Sequence, residues 1–304
     1  MGTMFGITLY ASNSTIAKRA AEAAFARVAE LDRMMTDYDP QSELMQLCRR
    51  PAGVPVKVSG ELFDVLQRAQ HISEISEGAF DVTVGPYVHL WRTARKSRIL
   101  PSPEEIAAAR KVIGYQKVQL DLRNRTVTLA VPGMKLDLGG IGKGYAADAA
   151  LKVLRGLGIR SALVAASGDL AIGDPPPGRA GWTVAVASIV ATESAPAKML
   201  LLQNVGVSTS GDAEQFVEIG GVRYSHIVDP RTGIGLTDRI QTTVIARDGT
   251  RSDALAKVVC VLGATRGLET VDALPDAAAL VLRLDNGVKQ MIPSRRFGEI
   301  RTQP

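Results

Sequence analysis

The most chemically loaded segment of the chain is Leu136-Asp137-Leu138-Gly139-Gly140-Ile141-Gly142-Lys143-Gly144-Tyr145. Four glycines where a strand would run into a helix let backbone N–H groups come close to a ligand, the helix N-terminus favours negative charge, and Lys143 adds a cation. Such a loop suits a diphosphate. It is not a Walker loop, because no Lys-Ser/Thr pair stands at that spacing, and it lacks the GxGxxG pattern with an acid about 20 residues on. A tight turn is the competing reading of any glycine cluster. Asp137 argues for more than a turn, since a carboxylate beside an anion cradle must face a hydroxyl, an amide or a metal.

Three more groups could do chemistry. Ser208-Thr209-Ser210-Gly211-Asp212 is one, and Tyr224-Ser225-His226-Ile227-Val228-Asp229-Pro230-Arg231-Thr232-Gly233 is another. There His226 is either a general base held near its working range or a hydrogen-bonded turn residue. Asp253 opens a helix at Ser252-Asp253-Ala254-Leu255-Ala256-Lys257, where capping and a functional role both fit a first-turn carboxylate. His71, on the outer face of a helix, and His89, after a Gly-Pro turn, read as structural.

Periodicity predicts the elements that position these groups. Met4 to Tyr10 alternates as a strand, and Ala21, Ala24, Val28, Leu31 and Met35 recur at helical spacing. Ser59 would cap a helix carrying Leu62, Val65, Leu66, Ala69, Ile72 and Ile75 on one face, ended by Gly78. Ser102-Pro103-Glu104-Glu105 opens a third helix, and 117–122 with 126–131 form a hairpin. Further strands are expected at 135–138, 162–166, 182–187 and 242–246, with helices at 143–157 and 252–262. Gly220-Gly221 and Asn286-Gly287 mark hairpin turns, and Pro175-Pro176-Pro177 a surface excursion. Hairpins mixed with helices favour an α+β fold.

Composition narrows the classes. With 304 residues, 46% hydrophobic and 22% charged, disordered, collagen-like and disulfide-scaffold chains are excluded. A net charge of +5 permits a nucleic-acid partner, but the basic residues are dispersed and aromatics make up only 5%, so no base-stacking platform and no nucleic-acid partner are expected. No run reaches the roughly 18 apolar residues of a membrane span. Cys48 and Cys260 form no CxxC or Cys/His cluster, which excludes a thiolate zinc site.

Taken in order, the segments resemble the FAD:protein FMN transferases, the ApbE or flavin transferase family. The likeness is carried by Met1-Gly2-Thr3, Tyr38-Asp39-Pro40-Gln41-Ser42-Glu43-Leu44, Gly78-Ala79-Phe80-Asp81-Val82-Thr83-Val84-Gly85-Pro86 with Leu90-Trp91, Asp137 to Tyr145, Ser208 to Asp212, Ser225 to Gly233, and Ser252 to Ala256. It implies an α+β ApbE-like fold with mixed or antiparallel sheets over a single domain, 1–304, binding FAD in a cleft between two intimate subdomains. It also implies transfer of the FMN half of FAD to a threonine of an acceptor flavoprotein, with release of AMP. By resemblance, Met1, Tyr38, Ala79, Phe80, Asp81, Asp137, Lys143 and Val228 contact FAD. The family's magnesium ligands would be the Gly140 carbonyl, Asp253, the Ala256 carbonyl and a threonine hydroxyl.

At that last position this chain has Lys257. An ammonium group has no lone pair to give and repels a cation, so magnesium stays an open cofactor. Lys257 could replace the ion's charge, swing away and leave a water as ligand, or mark a protein that binds FAD without transferring it. A smaller departure is Ala165-Ala166-Ser167-Gly168-Asp169, where the family shows paired glycines. On the transferase reading Lys143 holds the diphosphate, Asp253 organises charge, His226 or Asp212 accepts the acceptor proton, and Tyr38 walls the isoalloxazine. The rivals are a metal-dependent FAD pyrophosphatase giving FMN and AMP, and a non-catalytic FAD-binding protein. As given, the chain shows no signal peptide, so a cytoplasmic location is expected, or an exported one if a leader has been trimmed.

Overall fold

The computed structural model of the chain describes residues 2–189, 195–211, 215–285 and 288–302. Met1, Asp212 and the Asn286-Gly287 turn lie outside the described residues. Strand β1 (Phe5–Leu9) leads into helix α1 (Ser14–Met35), followed by α2 (Glu43–Cys48), β2 (Val56–Lys57) and α3 (Gly60–Ile75). Next come α4 (Gly85–Ser97), α5 (Pro103–Arg110) and the hairpin β3 (Val118–Asp121) with β4 (Thr126–Leu129). Helix α6 (Gly142–Gly156) precedes β5 (Ala162–Ala166), β6 (Asp169–Ile172), β7 (Trp182–Val186), β8 (Lys198–Leu202) and β9 (Gly206–Gly211). The chain continues through β10 (Phe216–Ile219), β11 (Val222–Ser225), β12 (Ile240–Ala246), α7 (Gly249–Asp272), β13 (Ala277–Asp285) and β14 (Val288–Pro293).

Two compact units result. The first is built from Met1–Asp32, Ile141–Ala213 and Arg239–Pro304, the second from Arg33–Gly140 and Glu214–Asp238. The first unit holds a seven-stranded sheet in the order β1-β5-β6-β9-β12-β13-β14, every neighbouring pair antiparallel. This is the mixed α+β architecture expected. One face of the sheet packs Ala162, Val164 and Ala171 against Ala20, Ala24 and Val28 of α1 and Ala147, Ala150, Leu151 and Leu154 of α6. The other face packs Val207, Ile245, Leu280 and Leu282 against the β7–β8 hairpin through Val184, Leu200 and Leu202. Because both faces are covered, every residue of β12 is buried, Gln241, Thr242 and Thr243 included.

The second unit packs Tyr87, Trp91 and Ala94 of α4 against Ala109, Ile113, Val217 and Val228. Caps start its helices where the sequence placed them: Ser59 accepts from the Leu62 N–H, and Ser102 with Glu105 forms a capping box. Gly220 and Gly221 both have positive φ, 58° and 77°, as the two-residue β10–β11 turn demands. Segment 135–138 is a correction: it joins no sheet, held instead by the Asp137 N–H on the Val82 carbonyl and the Leu136 N–H on Cys48 Sγ. Helix α7 extends to Asp272, with a break at Gly263 (φ 75°, ψ 178°) next to the expected end at Leu262. Among the described residues no helix is long and apolar enough to cross a membrane.

Helices α6 and α7 of the first unit touch backbone to backbone at Gly144, where an added Cβ would lie 2.0 Å from the Gly249 carbonyl oxygen and 2.9 Å from Asp253 Cβ. Neither obstacle is a flexible side-chain end. Gly144→Ala must therefore part the two helices, and urea unfolding is expected to show a loss of about 3 kcal/mol or more.

Candidate functional site

The N-termini of α6 and α7 are capped by each other's carboxylates. Asp253, on α7, accepts the Gly144 N–H at 3.0 Å through Oδ2. Asp148, on α6, accepts the Gly249 and Thr250 N–H groups, each at 2.8 Å, and the Thr250 hydroxyl at 2.5 Å. The first N–H groups of a helix have no partner of their own, so each carboxylate satisfies donors that burial would otherwise orphan. Asp248 completes the start of α7 by accepting from the Arg251 N–H at 2.8 Å.

Two lysines close over this junction. Lys257, one turn after Asp253 on α7, donates to Asp253 Oδ1. Lys143, in the first turn of α6, donates to Asp169 Oδ2 and stands 3.5 Å from Asp253 Oδ1. Asp169 reaches the cluster from β6: its register opposite Ser208 of β9 puts it on the sheet face that Ser208 shares with Ser252 of α7. The two carboxylate side chains are 0% and 2% exposed, whereas Lys257 and Lys143 keep 14% and 26%, so the acids are the more deeply buried partners. Burial alone would raise the Asp253 carboxyl, yet Lys143 and Lys257 hold it down, to about 2. Burial also works against the charge on Lys143, and Asp253 and Asp169 overcome it, keeping the amine protonated well above its ordinary range. Asp169 goes the other way: burial and the charge of Asp253 push it up.

The second unit carries its own polar group. Arg92 of α4 pairs with Asp37 and reaches Asp137 Oδ2 at 3.3 Å, and its guanidinium lies 4.4 Å from the ring centroid of Tyr38. Tyr38 is 69% exposed, an aromatic face backed by a cation and open to solvent. Asp137 Oδ1 accepts the Gly139 N–H at 2.7 Å, and burial followed by the charge of Asp37 raises its carboxyl. Ala79, Phe80 and Val228 are buried. Asp81 is spent within the fold, accepting from the Thr83 N–H and hydroxyl and from the Tyr115 N–H. Asp229 is likewise engaged, holding Arg231 through both oxygens.

At His226 both the backbone N–H and Nδ1 face the Gln215 carbonyl, at 3.0 and 3.1 Å. A carbonyl can only accept, so Nδ1 is the donor in that contact. His71 and His89 are exposed on α3 and α4.

The ApbE family matches residues 1–281. The chain belongs to that family. A FAD:protein FMN transferase of Vibrio cholerae is 28% identical over 298 residues, covering 97% of this chain and 89% of the relative. One of Haemophilus influenzae is 30% identical over 297 residues, covering 94% and 86%. The solved structure of the flavin transferase ApbE from Vibrio cholerae superposes with a TM-score of 0.90 at 26% identity, covering 99% of this chain and 96% of that one.

For an ApbE protein, the chemistry around Asp253 does not fit a divalent cation. Magnesium takes about six oxygens at roughly 2.1 Å, whereas Asp253 Oδ2 is taken by Gly144 and Oδ1 by Lys257. Two ammonium groups already balance two carboxylates. The Ala256 carbonyl lies within the regular first segment of α7, and Asp169 Oδ1 is the one oxygen of the cluster that is buried without a partner. Of the three outcomes open to Lys257, the geometry here has its ammonium group on Asp253. Gly144, expected to admit a ligand to the backbone, serves helix packing and gives its N–H to Asp253.

Sequence reasoning missed Asp169, Asp148 and Arg92. An aspartate opening an otherwise apolar strand after Ser167-Gly168 was the available signal for the first.

Asp148 yields a pH test. Burial and the charge of Asp248 push its carboxyl up to about 6 against the pull of its hydrogen bonds, and the unfolded chain ionises near 4. Between those values the unfolded state has lost the proton that the folded state keeps, so this group favours folding in acid and loses that contribution as pH rises from about 4 to 6. The stability of the parent relative to Asp148→Asn, from urea unfolding, is expected to fall by roughly 2–3 kcal/mol across that window and stay level above it.

Proposed function

We propose that this ApbE protein transfers the FMN half of FAD to a threonine hydroxyl of an acceptor flavoprotein. Family membership over residues 1–281 supports the reaction class, and the observation in the fold that carries the reading is the pair of partly exposed lysines, Lys143 in the first turn of α6 and Lys257 on α7. Diphosphate oxygens are stabilised by such a pair, helped by the positive end of the α6 dipole. Tyr38 offers a flat apolar surface, stiffened by Arg92 behind it, of the kind an isoalloxazine ring stacks on.

In the transfer the threonine oxygen bonds to the FMN-side phosphorus. The bond from that phosphorus to the bridging oxygen breaks, AMP leaves with the bridging oxygen, and the hydroxyl proton passes to a general base, for which His226 and Asp212 are the candidates. No protein group need be covalently modified, so catalysis rests on positioning and charge neutralisation.

The direct test mixes the protein, FAD and a flavin-acceptor domain, then reads fluorescence after denaturing electrophoresis. Covalent flavin on the acceptor is expected, whereas free FMN and AMP formed without an acceptor would make water the acceptor and the protein a pyrophosphatase. His226→Gln is expected to lower kcat by roughly 10²–10⁴ with little change in KM for FAD. Tyr38→Ala is expected to raise KM for FAD about tenfold.

A further inference from the structure

We infer that Lys257, together with Lys143, stands in place of a divalent cation in this chain, which therefore binds FAD without a metal ion. The inference rests on the proposed use of FAD. Its basis is the occupancy of Asp253: both oxygens are committed inside the protein, one to the Gly144 N–H at 3.0 Å and one to the Lys257 ammonium, with Lys143 3.5 Å from the latter. A metal ion would have to displace an ammonium group that is anchored four residues along the same helix and held among buried neighbours.

Charge leads to the same conclusion. Asp169 and Asp253 contribute two negative charges and Lys143 and Lys257 two positive ones. In the absence of FAD, adding a divalent cation would leave two uncompensated positive charges beside carboxylates that are 2% and 0% exposed, an arrangement that low dielectric penalises heavily. Without a metal the balance is already struck, and the partly exposed side chains of the cluster are the two lysines, not the acids. Lysine is a compact point cation with three donors, able to hold a carboxylate and a phosphate oxygen at once. A metal site on Asp253 would present the opposite arrangement, with the acid's lone pairs facing the incoming ion.

Two measurements on the metal-stripped wild-type protein decide the matter. Manganese titration followed by the electron paramagnetic resonance of the free ion is expected to show no stoichiometric binding up to millimolar concentrations. FAD affinity by calorimetry is expected to change less than twofold between EDTA and excess magnesium. In Lys257→Thr, which frees Asp253 Oδ1 and supplies a hydroxyl, one manganese per chain is expected to bind, and FAD affinity in EDTA to fall at least tenfold and recover with magnesium. Stoichiometric manganese binding by wild type, a tenfold loss of its FAD affinity in EDTA, or identical metal behaviour in a folded Lys257→Thr overturns the inference. If the variant does not fold, the wild-type arms decide alone. Tight metal-free FAD binding with no covalent flavin on any acceptor would remove the transferase reading and leave this one standing; manganese binding would do the reverse.

Discussion

The exchange of carboxylate caps between α6 and α7 is the constraint on which the rest of the first unit depends. Each helix begins among buried groups, where its leading N–H donors cannot reach water, and each is completed by an aspartate of the other. The exchange works only at very short range, which Gly144 permits by presenting backbone where any side chain would collide with the Gly249 carbonyl. Asp253 is therefore placed by helix capping before any ligand chemistry is considered. Its second oxygen is left to Lys257.

What faces that oxygen determines the character of the site. With Lys257 on the same helix and Lys143 at the start of the neighbouring one, the cluster is a neutral square of two acids and two amines, its acids inward. The mutual shifts follow from this geometry: Asp253, touched by both lysines, is held ionised, while Asp169, deeply buried and beside another carboxylate, is pushed up. A lysine delivers charge without demanding a coordination shell, so the same fold can present a cation to phosphate with fewer oxygen donors.

The second unit solves a different problem. Its motif residues are largely consumed in holding loops: Asp81 pins Thr83 and Tyr115, Asp229 clasps Arg231, and the Gly233 carbonyl takes the Trp91 indole N–H. Tyr38 is the exception, left exposed on the Arg92 guanidinium. Motif segments thus contain residues spent on the scaffold and an exposed one side by side. Residue type alone does not separate them.

The sequence by itself determined most of the elements and the family. Ser59 and Ser102 announce their helices, Gly220-Gly221 its turn, and apolar periodicity the faces of α1 and α3, because caps, turns and amphipathic stripes are local and obey short-range backbone rules. The isolated segment 135–138 has a strand's pattern, but no neighbouring strand is available to pair with it, and only the assembled chain decides that. The partners of Asp253 were decided the same way: Gly144 lies 109 residues away and Lys143 110. Asp169 joins Asp253 and Lys143 only once β6 registers against β9. Spacing along a chain specifies contacts within one or two helical turns; over a hundred residues, only packing does.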